Sequence, residues 1–583
     1  MTVLKTQEIK LASEHKADEA EDGQPLAYKL ALKQREIGIA EFFSRNRHLL
    51  GFDNKRKALL TVVKECVDNS LDACEEARIL PDVTVETIEM SPERYRVIVE
   101  DNGPGIVKSK IPNIFAKLLY GSKFHSLKQA RGQQGMGVSA SVLYGQLTTG
   151  RPAKIISRIS KGYPAESVEL HIDTKKNKPE VVSAGTAEWD KEHGTRVEID
   201  IEATYLRGMQ SPDEYLKETA IINPHANITY TNPKAEQVIY SRVSDKLPVE
   251  PKEIKPHPYG VELGILCSML ADSPARTLQA FLTSEFCRVG ASAAKEICER
   301  AALLPSTKPA SISRQQAEKI TEAIKNTRLI APPTDCISPL GAGMIEKGLR
   351  KEVNAEFYCS ISRSPSVYRG YPFVIEAGLA YGGALPADRT ATLLRFANRV
   401  PLLYQQGACA VTESVTHTNW KAYGLQQSNR SLPVGHLVIL VHIASVWVPF
   451  TSEAKEAIAH YPKIIKEVKL ALQDCGRKLS MYVRKKRRIR DELKKRGFIG
   501  TYIPHIGLAL KQIIGLSDSQ EERVNEELKA MLEQKRGVLE DIEFRPDKNV
   551  DFEEDLALPM EGSEGEEAEA RETKDRERDG EDG

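Results

Sequence analysis

The sequence predicts a multidomain α/β protein. It reads as an α/β sandwich, a small all-helical domain, a second α/β domain ending in a long helix, and an acidic tail. Three observations predict this. At 583 residues the chain exceeds what one hydrophobic core organises. Helical and strand periodicities mix in the first half, give way to short helices, and then mix again. Charge is also divided. Residues 551–583 hold 15 acidic and 4 basic residues, so a chain with 82 of each sign carries +11 over residues 1–550. A basic body favours a polyanionic partner such as DNA, and a mixed soluble surface accounts for the charge equally well.

Residues 1–27 are polar and read as an N-terminal arm. From Glu36 the text turns helical in EIGIAEFFSRNRHLLGF and then in KALLTVVKECVDNSLDACEEARI. In the second segment Leu59, Val62, Val63, Cys66, Val67 and Leu71 recur at helical spacing and give one apolar face. RYRVIVED alternates as a strand and ends in the turn NGPG; AKIISRIS, SVELHID and TRVEIDI are further strands. Residues 28–254 therefore read as the sandwich. Residues 255–331 are short helices broken by DSPA and LLPSTKPAS. Strands return from Pro332 in FVIEAGLAYGG, LLRFANRVPLLY and GHLVILVHIASVWVPF, defining a second α/β domain over 332–498. Ile465, Val468, Leu472, Cys475, Leu479 and Tyr482 step by three and four, so Pro462 to Arg496 reads as one helix about 50 Å long. Residues 499–550 form a further helical segment, and 551–583 are disordered by composition.

Several classes are excluded. The longest apolar run, Leu437 to Phe450, falls short of the roughly 20 residues of a membrane span and suits a buried strand. The N-terminus offers no apolar signal core. Nine cysteines are scattered singly without a C-x-x-C pair, so neither disulfides nor structural zinc is expected. The expected location is the cytoplasm, with no membrane partner.

Three short patterns carry chemistry. On the second helix Glu65, Asn69 and Asp72 are four and three residues apart and share a face. A carboxylate there can take a proton from water, and an amide oxygen can ligate a hard cation; a solvated polar face explains the same spacing. The strand VIVED runs into Asp101-Asn102-Gly103-Pro104-Gly105. A carboxylate at a strand end can accept from an adenine amino group while the glycines admit backbone to the base. The same letters are also a good turn. Finally, Gly132-Gln133-Gln134-Gly135-Met136-Gly137 runs into the helical SASVLYGQ, and glycines entering a helix present N–H groups to phosphates.

In this order and this close together, the three patterns resemble the GHKL (Bergerat) ATPases: gyrase B, Hsp90, histidine kinases and MutL. The segments RNRHLLGFDNKRKALLTVVKECVDNSLDACEEA, LLYGSKFHSLKQARGQQGMGVSASVLYGQ, PPTDCISPLG and VPFTSEAKEAIA narrow this to a resemblance to B subunits of DNA topoisomerase VI, the type IIB enzymes, over roughly residues 28–500. The resemblance implies ATP and Mg²⁺ as ligands. It makes Glu65 the general base, Asn69 the Mg²⁺ ligand, and Asp101 the adenine reader, with Gly103, Gly105 and Thr195 beside it. Ser122, Lys123 and the loop Gly132, Gln133, Gln134, Gly135, Met136, Gly137 and Val138 would form the phosphate lid. Lys455 of TSEAK would reach the γ-phosphate from the second α/β domain. Lys421 of NWKAYG is its rival, and Lys455 is preferred because it lies just before the long helix.

By the same resemblance, 255–331 is a helix-two-turn-helix domain and 332–498 a transducer. It further implies that ATP would drive two B protomers to dimerise, and that an A subunit carrying the nucleophilic tyrosine would complete an A₂B₂ heterotetramer on double-stranded DNA, in the nucleoid. No cleavage chemistry is evident in this chain. Arg484 to Arg496, with nine basic residues in thirteen, could hold duplex phosphates or dock an acidic partner surface. The competing reading is a MutL-like mismatch-repair ATPase, against which the helical insert at 255–331 argues. An Hsp90-type chaperone fits poorly with the basic helix, and a histidine kinase would need a phosphoacceptor helix for which there is no room.

Overall fold

The computed structural model describes residues 27, 30, 31, 34, 37–123, 126–132, 135–452 and 454–536. The first sheet has eight strands: β1 (Asp82–Ser91), β2 (Arg94–Asp101), β3 (Ala153–Arg158), β4 (Ala165–Asp173), β5 (Lys178–Ala187), β6 (Gly194–Glu202), β7 (Asn227–Thr231) and β8 (Gln237–Tyr240). Their order is β5-β4-β3-β6-β2-β1-β7-β8. All neighbours are antiparallel except β1 and β7. Helix α1 (Ile39–Arg45) packs on α4 (Gly137–Thr149), which lies against the sheet with α2 (Lys55–Glu76), α3 (Ile111–Ala116) and α5 (Pro212–Ile222).

Helix α2 runs 22 residues because no glycine or proline interrupts it and Asn54 caps its first turn, accepting from the Lys57 N–H. Its apolar face, including Leu59, Val62, Val63, Val67 and Leu71, is buried in the sandwich core with Val97, Val99, Ile199 and Ile201 of the sheet.

Residues 263–326 form a separate helical module of α6 (Leu263–Asp272), α7 (Leu278–Glu285), α8 (Ala291–Arg300) and α9 (Arg314–Asn326). It has its own core around Leu278, Phe281, Ile297 and Ile320. Ser313 and Gln316 form a reciprocal capping box at the start of α9.

The second sheet does not begin at 332. Its first regular element is a helix, α10 (Ala342–Glu352), and strands follow: β9 (Phe357–Ser362), β10 (Ser366–Tyr368), β11 (Tyr371–Tyr381), β12 (Thr392–Ala397), β13 (Val400–Pro401) and, after α11 (Ala410–Thr416), β14 (Leu437–Ser445). β14 lies between β11 and β12 and is buried at every residue, as its unbroken apolar run requires. One hydrophobic cluster joins the two α/β parts: Ile221 and Ile222 of α5 pack with Ile345 and Leu349 of α10 and Leu440 of β14.

The long helix α12 spans Pro462–Ile514, longer than the 462–496 reading and unbroken at 498/499. Its first turns bury Ile464, Val468, Leu472, Cys475 and Leu479. The chain divides into two compact units at Tyr482/Val483. In the second unit, α13 (Asp518–Arg536) follows the left-handed Gly515, and Lys511–Glu521 (2.8 Å) and Arg496–Glu533 (3.8 Å) ion pairs tie it back to α12. The polar arm expected over 1–27 lies outside the described residues except for residue 27, and the acidic tail expected over 551–583 lies outside them entirely. Among the described residues no helix is long and apolar enough to cross a membrane, and all nine cysteines are free.

Candidate active site

A cavity of about 600 Å³ opens over the middle of α2. Its wall includes Glu65, Asn69, Asp101, Gly105, Ser122, Lys123, Gly132, Gly135, Met136, Gly137, Val138, Thr195 and Lys455. Gly103 is not in the wall but bonds Asp101, which is, and Gln133 and Gln134 lie outside the described residues. Lys421 is exposed on the turn Trp420–Tyr423, away from the cavity.

Asp101 ends β2 in a fixed orientation. Its Oδ1 accepts the N–H groups of Gly103 (2.9 Å) and Thr195 (3.1 Å), and its Oδ2 accepts the Ser70 hydroxyl (2.9 Å). Burial pushes its pKa up, and these three donors oppose that rise. Oδ2 keeps a lone-pair direction for a further donor. The approach of β6 depends on Gly194, left-handed at φ 138, where a side chain would collide with the Asp101 carbonyl. Gly194 escaped the sequence reading, although it directly precedes Thr195.

The second feature is the start of α4. Met136 at its N-cap supplies no side-chain bond, so the first turn, whose Gly137 and Val138 line the cavity, has no side-chain cap. Gly137 touches the half-buried Glu65: a Cβ there would sit 2.6 Å from Glu65 Cδ. The carboxylate of Glu65 and the open end of a thirteen-residue helix therefore meet in one place, an arrangement that puts a base beside an anion site.

The third is Lys455. Its Nζ donates to the backbone carbonyl of Arg131 at 2.9 Å, just before Gly132. Burial lowers its pKa, and the Glu65 carboxylate pulls the other way. The segment that carries it is fastened to α2 by Glu456, which is 6% exposed and bridges Lys57. Lys57 also pairs with Asp53 at 2.9 Å. Leu403 and Tyr404, beyond β13, complete that wall.

Asp72 departs from the expected grouping. Instead of facing the cavity with Glu65 and Asn69, it is buried and accepts from Lys123 Nζ (2.6 Å) and Arg131 Nη1 (2.8 Å). Burial would raise its pKa, but Lys123 and Arg131 outweigh that and hold it low. In this arrangement the Lys123 ammonium ties its segment to α2 through Asp72. The structure adds a buried cluster that spacing did not reveal: Glu75 receives Arg131 (2.6 Å), Arg399 (2.7 Å) and His225 (2.9 Å). These partners come from segments up to 324 residues away, so no local pattern announces them.

Among the described residues, no cluster of three or more His, Cys, Asp or Glu side chains is arranged for a metal. A hard cation held by Asn69 would thus draw its remaining oxygens from phosphates and water, the usual habit of Mg²⁺. The exposed amide of Asn69 in the cavity wall fits that donor set.

Family models match at two places: "Histidine kinase-, DNA gyrase B-, and HSP90-like ATPase" over residues 54–204, and "Topoisomerase VI B subunit, transducer" over residues 332–495. The chain is 50% identical over 487 residues to the type 2 DNA topoisomerase 6 B subunit of Methanococcoides burtonii, covering 83% of this chain and 78% of that one. It is 47% identical to the B subunit of the same enzyme from Methanosarcina mazei (84% and 79% covered) and 48% identical to that from Archaeoglobus fulgidus (83% and 80%). These matches give no support to the mismatch-repair alternative. Identity of this extent through both α/β parts shows that the chain belongs to the family of type 2 DNA topoisomerase 6 B subunits.

Proposed function

We propose that the chain binds and hydrolyses ATP in this cavity as the B subunit of an ATP-dependent DNA topoisomerase. ATP binding drives two copies to dimerise. Their closure gates passage of one DNA duplex through a break made in another by the A subunit, within an A₂B₂ heterotetramer that relaxes supercoils and decatenates DNA in the nucleoid. The observation that carries this reading is convergence: Glu65, Asp101, the glycine entry to α4 and Lys455 line one cavity although they come from both α/β parts. The proposed division is 28–254 for the ATPase domain, 255–331 for a helix-two-turn-helix domain and 332–498 for the transducer.

In this reading Asp101 Oδ2 accepts the adenine amino group, its carboxylate already held by Ser70, Gly103 and Thr195. The N–H groups at the start of α4 receive phosphate oxygens. Asn69 holds Mg²⁺, which supplies charge neutralisation at the phosphates. Glu65 takes the proton of the attacking water. Lys455 exchanges its bond to the Arg131 carbonyl for the γ-phosphate. A ligand shifts a two-state gate only through contacts it makes in one state, and this exchange provides one.

The test is ATP turnover by the B subunit assembled with its A subunit, with and without DNA. Crossed duplexes should stimulate turnover, and supercoiled plasmid should be relaxed only when ATP is present. Turnover indifferent to DNA refutes the reading and returns the chain to a DNA-independent ATPase such as a chaperone.

A further inference from the structure

The residues just before the glycine-rich loop are gripped from the second sheet at two points. One is the Lys455 bond to the Arg131 carbonyl. The other is the tip of the β12–β13 hairpin, Asn398–Arg399, where both residues are left-handed at φ 49 and φ 65. A two-residue hairpin of this kind normally places glycine second, and an arginine is held there against its backbone preference. What holds it is visible. The Arg399 N–H donates to His442 Nε2 at 3.0 Å, and His442 Nδ1 meets Glu376 at 2.8 Å inside the second sheet. Glu376 also accepts the Leu340 and Gly341 N–H groups at 3.0 and 2.6 Å, at the start of α10.

From that anchor the guanidinium reaches across to α2. Nη2 lies 2.7 Å from Glu75 Oε2, and Glu75 Oε1 takes Arg131 at 2.6 Å. Arg131 continues to Asp72 (2.8 Å), and Asp72 to Lys123 of the lid (2.6 Å). Asn398 adds a parallel grip: its amide donates to the Ala130 carbonyl at 3.3 Å and to the Ser445 carbonyl at 2.9 Å. Burial lowers the Arg399 pKa, opposed chiefly by Glu75. Among the described residues its Nε and Nη1 meet no acceptor. Its attachment therefore rests on Glu75. Separating the two would leave a buried charge uncompensated, so the hairpin and the loop base are held to move together.

We propose that Arg399 is a positioning residue that ties the base of the glycine-rich loop to the second sheet through Glu75 and Arg131. Movement of Ala130 and Arg131 when nucleotide binds is thereby transmitted to that sheet by the hairpin as well as by Lys455. When Lys455 leaves the Arg131 carbonyl for the γ-phosphate, the hairpin grip remains to carry the motion. This inference rests on the cavity being the nucleotide site.

The experiment uses the full chain assembled with its A subunit, and measures affinity for a fluorescent ATP analogue, ATP consumed per strand passage, and melting temperature. Arg399→Ala should bind nucleotide within about threefold of wild type but spend about tenfold more ATP per passage, the scale of a disrupted coupling network. Arg399→Lys keeps a cation opposite Glu75 and should bring the ratio back to within about threefold. Should the alanine variant fail to fold, Asn398→Gly, which accepts the left-handed backbone and removes the grip on Ala130 and Ser445, should raise the ratio by about threefold. A merely structural role lowers binding, hydrolysis and passage in proportion, leaving the ratio unchanged, and that result overturns the proposal. A wild-type complex that binds no nucleotide overturns the site reading and this inference together, and is distinguished by the first measurement alone.

Discussion

Replacing Gly137 by alanine separates chemistry from folding in this site. The position is helical, and alanine is the better helix former by up to about 1 kcal/mol, so the backbone should tolerate the change. The conflict lies elsewhere. An added Cβ would sit 2.6 Å from Glu65 Cδ and 3.1 Å from its Cγ, with Oε2 nearer still. To reach an ordinary 3.4 Å contact the carboxylate carbon must retreat by about 0.8 Å and the oxygen farther. Glu65 ends in a flexible side chain, so this retreat costs little stability. It costs catalysis, because a displacement of about 1 Å in a reacting group can lower the rate about 10²-fold. Gly137→Ala should therefore melt within a few degrees of wild type, bind ATP within about threefold, and turn over about 10²-fold more slowly. Steady-state ATPase rates with nucleotide titration and thermal denaturation measure all three. Wild-type turnover would mean that the carboxylate beside Gly137 need not be where the structure puts it, and the steric link between the two residues would fall.

Three other outcomes are expected. Lys455→Ala should leave ATP binding largely intact and abolish dimer closure by a non-hydrolysable ATP analogue in light scattering; dimerisation like wild type would transfer the role to another residue. Glu75 should govern acid stability: burial would raise its pKa, but Arg131 and Arg399 hold it well below the ordinary value of 4.5. Its contribution is thus complete above about pH 4.5 and lost as pH falls through the folded value, so melting of Glu75→Gln should be lower at neutral pH and flatter below it. Deleting residues 551–583, net −11, should tighten nonspecific DNA binding to the +11 remainder in low-salt titrations, and equal affinity there would exclude competition by the tail.

What the sequence made legible was local. Leu59 through Leu71 announced α2 because its spacing and burial share a period, and β14 was readable from an apolar run too short for a membrane and too branched for a helix. β5 was silent because it is an edge strand exposed along nearly all its length, so burial imposes no alternation on it. Helix α10 was missed in a stretch read as leading directly into strands. The site divides the same way. Glu65, Asn69 and the glycine loop were visible because one helix and one turn carry them. Asp72 was misgrouped because helical spacing fixes a face but not what covers it, and Lys123 and Arg131 cover it. The Glu75–Arg131–Arg399 cluster needs three distant segments folded together before it exists.

If Glu65 performs the chemistry while its neighbours hold the nucleotide, Glu65→Gln and Asn69→Ala must fail differently, and paired measurements of ATP affinity and turnover decide whether they do. Glutamine is nearly isosteric, so Glu65→Gln should bind ATP and close the dimer while hydrolysis falls by about 10²–10⁴, the usual cost of a lost general base. Asn69→Ala should instead lose Mg²⁺-dependent binding, and closure with it. Normal turnover by Glu65→Gln would take the general base away from Glu65 and leave the proposed division of labour without its centre.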